Sequence, residues 1–332
     1  MAGWLGCAVE CTAHHRSPKE VLPQILRFIA RRLAIAVPTL LGIATLAFVL
    51  LHATPGGPFD SAKRMPPEIQ RSIEAKYHLD EPLWRQYVRY LNDLVHGDLG
   101  PSFQYRNTSV NELIRTGLPV DALIGSLALL AAMLVGGPCG FLAALKRHTL
   151  WDHVPMFFAI LGISVPVFVV GPLLILVFAV KLHWLPSGDW RFGEVRYLVL
   201  PVAALALPYT AYIARMVRGA AIEVLTSPFI RTAHAKGLPV RTVILRHALR
   251  PVLMPLVSFL GPAFAGILTG SIIIESVFGL PGIGRYFLIG AINRDYTLVV
   301  GITVLYGVLI IAFNLLADLC YAWLDPRVSL QS

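Results

Sequence analysis

Side chains able to do chemistry are few in this chain, and their spacing excludes most active sites. No Gly is followed by Lys, so there is no G-x-x-x-x-G-K-[ST] loop to cradle a nucleotide. H-E-x-x-H and G-x-S-x-G are also absent, which removes a helical zinc site and a nucleophile elbow. Cys7 and Cys11 with His14 and His15 could ligate a metal. No second ligand pair follows at zinc-finger spacing, so they read as part of a terminal extension. Single histidines such as His52, His183 and His234 read as interfacial or surface groups. Asn314 and Asp318 stand four residues apart on one face of an apolar run. Together with Asp121 they read as packing and hydrogen-bonding groups near a membrane boundary, ahead of substrate contact. Glu275 reads as a helix-end or interfacial residue.

One stretch, Ser227 to Pro239, is polar, basic and written as a complete short helix. Ser227 is placed to accept a hydrogen bond from the first turn. Pro228 suits the first helical position, where its missing N–H costs nothing. Gly237 suits the left-handed residue after the helix, and Pro239 prevents continuation. Arg231, Thr232, Ala233, Ala235 and Lys236 lie between these ends. A helix this short has no stability alone in water, so its ends imply docking to something.

The elements around it are those of a membrane protein. Of 332 residues 56% are hydrophobic and 14% charged, with mean hydropathy +0.67; soluble chains carry roughly 25% charged residues. A net charge of +9 could suggest nucleic acid, but the basic residues cluster at the ends of apolar runs. Spans of about 20 apolar residues are expected at 28–53, 118–145, 154–180, 197–214, 251–274 and 298–323. The architecture is therefore all-α and polytopic, with six transmembrane helices and a small external helical subdomain. Its divisions are an extension over 1–26, a first helix over 27–54, and an external segment over 55–117. A five-helix core over 118–323 contains the basic loop 215–250, and a tail covers 324–332. In the external segment, helices are expected over 67–77, after Asp80-Glu81-Pro82 until Gly97, and after Ser109. Pro155, Pro166 and Pro172 should kink the third span.

Fifteen Lys and Arg flank the spans on one side and five occupy the short loops on the other, with eight more in the 55–118 segment. This count places both termini and the 215–250 loop in the cytoplasm. With few membrane-embedded charges and no internal repeat, ion-coupled transport by the chain alone is poorly supported. An intramembrane enzyme lacks its nucleophile or metal set. Energy should enter from a partner at the basic loop.

The run Thr232-Ala233-His234-Ala235-Lys236-Gly237 resembles the coupling loop of ABC importer permeases. Arg231 stands at that loop's usual Glu position and His247 at its later Ile. The longer string Phe229 to Pro239, followed by Arg246-His247-Ala248-Leu249, resembles the peptide-transport subfamily. So do Ile73 to Leu79, His96 to Phe103, Glu275 to Gly284, Asn293 to Tyr296 and Asp325-Pro326-Arg327. The resemblance covers residues 24–328 and implies the type I permease fold. It further implies an assembly of two unlike six-span permeases, two ATP-hydrolysing subunits and an external peptide-binding lipoprotein in a bacterial inner membrane. ATP and magnesium would be bound by the ATPases, and no cofactor by this chain. Ser227, Pro228, Arg231, Thr232, Ala233, Ala235, Lys236, Gly237 and His247 would form the ATPase-coupling surface. Glu275, Phe278, Pro281, Gly282, Gly284, Arg294 and Asp295 belong to a Gly-rich outer connection. It reads equally as a gate or as an interfacial turn. The cargo implied is an oligopeptide; a dipeptide, glutathione, a nickel chelate or an oligosaccharide is the alternative.

Overall fold

Prolines and glycines, more than breaks in hydrophobicity, set where the helices of this chain end and turn. The computed structural model describes residues 18–53, 80–105, 107–191 and 193–324. The cysteine–histidine group near the N-terminus, the helix expected over 67–77 and the Asp325-Pro326-Arg327 tail lie outside those residues.

Eleven helices follow one another among the described residues, with no strand. They are α1 (Pro18–Ala53), α2 (Leu83–Val95), α3 (Val110–Leu145), α4 (Leu150–Ser164), α5 (Val167–Lys181) and α6 (Arg196–Leu225). Then come α7 (Pro228–Ala235), α8 (Val240–Thr269), α9 (Ile272–Phe278), α10 (Ile283–Ile292) and α11 (Tyr296–Leu324).

Close contacts fix the direction of each span. Arg32 meets Asp318, Leu40 and Ile43 lie beside Gly307, and His52 meets Tyr296, so α1 and α11 are antiparallel. Gly136 lies against Thr210 and Ile213, and Gly140 against Ala214, so α3 and α6 run the same way. These glycines bring the two backbones together, as small residues do between membrane helices. Asp152 meets Arg218 and Gly162 meets Ala211, which sets α4 against α6. Gly261 and Phe264 pack on Phe313, so α8 is antiparallel to α11. One end of the bundle therefore carries the 146–149 turn, α7 and the start of α1; it is called the basic end. The other carries α2, the 182–195 connection, α9 and α10; it is called the hairpin end.

The six expected spans are present, with different internal construction. The third is broken. Val165 is extended, as a residue before proline prefers, and Pro166 starts a new helix, so α4 and α5 meet at 105°. The short helix expected after Ser109 is not separate: Ser109 Oγ accepts from Glu112 N at 3.2 Å, and the helix it starts runs unbroken into the second span. At about 1.5 Å per residue, the 36 residues of α3 cover about 54 Å and overshoot the ~30 Å hydrocarbon core. The same overshoot corrects the 215–250 loop. Its first third is the end of α6 and its last third the start of α8, leaving only 226–239 as connection. Basic side chains there reach water from the ends of long helices. A wide π-type turn, Val243–Ala248, falls where the ring of Pro251 would otherwise strike the carbonyl of His247.

The α9–α10 pair also bends, by 92°. Since α8 arrives at the hairpin end and α11 leaves from it, the pair enters and exits on one side and is not a seventh crossing. The main core joins α3, α6, α8 and α9 through Ile124, Ile213, Leu256, Ile267 and Phe278. Large apolar residues of α1 and α4, such as Val37, Leu46, Phe157 and Phe158, are exposed, as lipid- or subunit-facing positions require.

Candidate coupling helix and outer hairpin

The basic end is built around α7. Pro228 occupies its first turn, and Lys236 and Gly237 close it. Gly237 has φ +74°, and Gly237 N donates to the carbonyl of His234 at 2.9 Å while Leu238 N donates to that of Ala233 at 3.3 Å. This pair of bonds is the Schellman closure the Gly predicted. The Ser227 expectation is corrected. Its backbone has cap geometry, but its hydroxyl donates backwards to Val224 O at 2.5 Å and caps nothing in α7. The carbonyl of Val224, in the last turn of the preceding helix, accepts both this hydroxyl and Ser227 N, the latter at 3.1 Å.

Ile230 and Ala233 are buried, and with Val243, Ala248 and Leu238 they pin α7 onto the start of α8. The opposite face projects Phe229, Arg231, Thr232, His234, Ala235 and Lys236 into the open. Phe229 is 49% exposed, and Val240 and Leu245 in the first turns of α8 are 61% and 56% exposed. His247 is exposed on the π turn. A short rigid helix thus presents mixed apolar and basic side chains away from the bundle.

Two ion pairs brace this end. Asp152, 1% exposed, receives Arg218 Nε at 2.5 Å and Nη2 at 2.9 Å, a bidentate pair, and also His148 N at 3.1 Å. It ties α4 to the extension of α6 that leads into α7. Sequence reading missed it, because nothing in the turn before Asp152 or in the basic run singles out these two residues as partners. Arg32 reaches Asp318 at 2.5 Å from α1, an ion pair between partly exposed side chains. Asn314 lines a cleft of about 330 Å³ between the same helices.

At the hairpin end the Gly-rich connection folds into the protein. Glu275 is 1% exposed, which corrects its reading as an interfacial residue. Its Oε1 accepts from Ser271 Oγ and its Oε2 from Arg285 N at 2.8 Å, while Asp121 Oδ2 on α3 accepts from Ile283 N at 2.9 Å. Both carboxylates face the first turn of α10, where backbone N–H groups have no helical acceptor. Gly282 is obligatory there, since a Cβ would overlap both carboxylates. Phe278 is buried in the main core, its carbonyl held by Asp189 N at 2.8 Å, and Pro281 and Gly284 complete the turn.

Asp295 is fully buried and holds two elements at once. Oδ1 accepts from Leu298 N at 3.1 Å and caps α11. Oδ2 accepts from Ser102 Oγ, Phe103 N and Gln104 N at 2.5–3.0 Å, which fastens the loop after α2 to the core. Arg294 contributes a left-handed backbone, φ +56°, to the turn before it. Midway along the bundle, Tyr209, Tyr212 and Phe259 line a cleft of about 390 Å³, with Tyr212 stacked on Phe259 at 5.5 Å. Among the described residues no cluster of three or more His, Cys, Asp or Glu could hold a metal.

This bundle, with its projecting short helix and no nucleotide motif, is that of a transporter membrane subunit. Residues 136–330 match the family described as "Binding-protein-dependent transport system inner membrane component", and residues 25–119 match its N-terminal counterpart. The chain belongs to this family and is a multi-pass inner-membrane permease. It is 51% identical over 304 residues to the oligopeptide transport system permease protein OppB of Escherichia coli K12, covering 92% of this chain and 99% of that one. It is 43% identical over 305 residues to the dipeptide transport system permease protein DppB of Bacillus subtilis, covering 92% and 98%. The MetNI methionine ABC transporter in an inward-facing conformation shares its fold, with TM-score 0.54 and 18% identity over 64% of this chain and 96% of that chain.

Proposed function

We propose that this chain is the permease subunit through which an ABC importer moves oligopeptides into the cytoplasm. The basic end lies inside, and α7 seats in a cleft on a partner ATPase. The observation that carries the reading is the construction of α7: it is pinned by Ile230 and Ala233 and closed by Gly237, yet it leaves Phe229, Arg231, Thr232 and Lys236 with nothing to pack against. Movement of the ATPases would pass through α7 to α6 and α8. A second permease would complete the pathway, with cargo passing along the aromatic cleft of Tyr209, Tyr212 and Phe259. An external binding protein would dock at the hairpin end.

A dipeptide is the second reading of the cargo, supported by the likeness to dipeptide permeases. Uptake of labelled peptides into proteoliposomes containing the co-purified complex tests both. Uptake that requires ATP and the binding protein, and that prefers peptides longer than two residues, is the expected result. Uptake by this chain alone without ATP would sink the reading.

A further inference from the structure

A second pocket lies at the hairpin end, between α1, α2 and the start of α11. It is a pocket of about 240 Å³, walled by the rings of Phe48, His52, Tyr90 and Tyr296 and bordered by Asp93 and Asp98. That volume is about eight waters' worth and smaller than drug-sized ligand sites, so it suits one side chain.

The unmet hydrogen-bonding capacity in this pocket lies on three side chains. His52 Nδ1 lies 2.8 Å from the carbonyl oxygen of Phe48. A carbonyl only accepts, so Nδ1 carries a proton, and in that tautomer Nε2 presents a bare lone pair. That Nε2 is buried without a partner, and so is the hydroxyl oxygen of Tyr90. The Asp93 carboxylate, half-buried, has no hydrogen bond or ion pair among the described residues. Arg89, the cation at the rim, is already committed to Glu81 at 2.9 and 3.1 Å. An imidazole nitrogen, a hydroxyl that can both accept and donate, and an unpaired carboxylate thus line one pocket whose aromatic faces favour a cation. Leaving the two buried atoms unpaired is costly, and a donor carrying positive charge can bond the imidazole nitrogen, the hydroxyl oxygen and the carboxylate.

We infer that this pocket receives one Lys or Arg side chain of the solute-binding protein when it docks. The inference rests on the docking at this end set out under Proposed function.

The test uses the assembled transporter in nanodiscs, titrated with its cognate binding protein. Asp93→Asn should weaken binding at least tenfold, and Tyr90→Phe several-fold, with basal ATP hydrolysis unchanged as proof of folding. In double-variant cycles against each basic residue of the binding protein, one should couple to Asp93 at fivefold or more. Wild-type binding with no loss in Asp93→Asn overturns the pocket alone. No binding by wild type overturns the docking reading and the pocket together. A loss that appears only with phosphatidylethanolamine assigns the site to a lipid ammonium, and coupling of Asp93 to a basic residue of this same chain assigns it internally; either overturns the inference.

Discussion

Two residues at the basic end carry sharply different kinds of energy. Gly237 acts through backbone: at φ +74° a Cβ meets no neighbour within 4 Å, so a larger residue is opposed by conformation alone. Gly237→Val should cost about 2 kcal/mol locally and distort the end of α7. Transport should fall while binding of the external protein stays intact, read as uptake per ATP hydrolysed; uptake at wild-type efficiency would mean the closure is dispensable. Arg218 acts through charge. Removing it leaves the Asp152 carboxylate without its bidentate partner at the edge of the bundle, so Arg218→Ala should destabilise by about 1–3 kcal/mol. A double change, Asp152→Asn with Arg218→Met, should recover much of that in thermal unfolding of the detergent-solubilised protein. The Arg32–Asp318 pair, with both side chains more than a third exposed, should be worth under about 1 kcal/mol.

At the scale of elements, the outer hairpin is a plug of backbone tied down by carboxylates. Asp121 and Glu275 accept from Ile283 N and Arg285 N at the turn into α10, and Asp295 accepts from the turn into α11 and from the loop after α2. Gly282→Ala should cost about 1–3 kcal/mol, because the added methyl must push the carboxylates apart. Hydrogen exchange should speed up across 272–292 and stay unchanged across 228–235; equal protection in both variants would mean the turn has room to spare. Much of this element was legible in the sequence. Gly279, Gly282 and Gly284 announce a tight turn. The inward burial of Glu275 was not, since a carboxylate at the end of an apolar run reads as interfacial until its partners from a distant span are known. The break at Pro166 was legible as a kink, but its 105° depends on how α5 packs against Phe278 and Ile274.

For the whole molecule, hydropathy gave the six spans, because each must satisfy its backbone within itself in lipid. It underestimated their length, since helices that leave the membrane continue through polar residues; α6 persists through Arg215, Arg218 and Glu223 to Leu225. The short helix α7 was legible from Pro228, Gly237 and Pro239. The Asp152–Arg218 brace and the acceptor-rich pocket of His52, Tyr90 and Asp93 were not, because each joins residues far apart in sequence. In the proposed function the bundle is a lever between α7 at one end and the hairpin at the other. Its central claim is that energy enters at α7. With the four native cysteines replaced, a single cysteine at Arg231 in the assembled complex should form a cross-link to a partner ATPase, and one at Trp84 should not. An adduct from position 84 with none from position 231 would contradict the account.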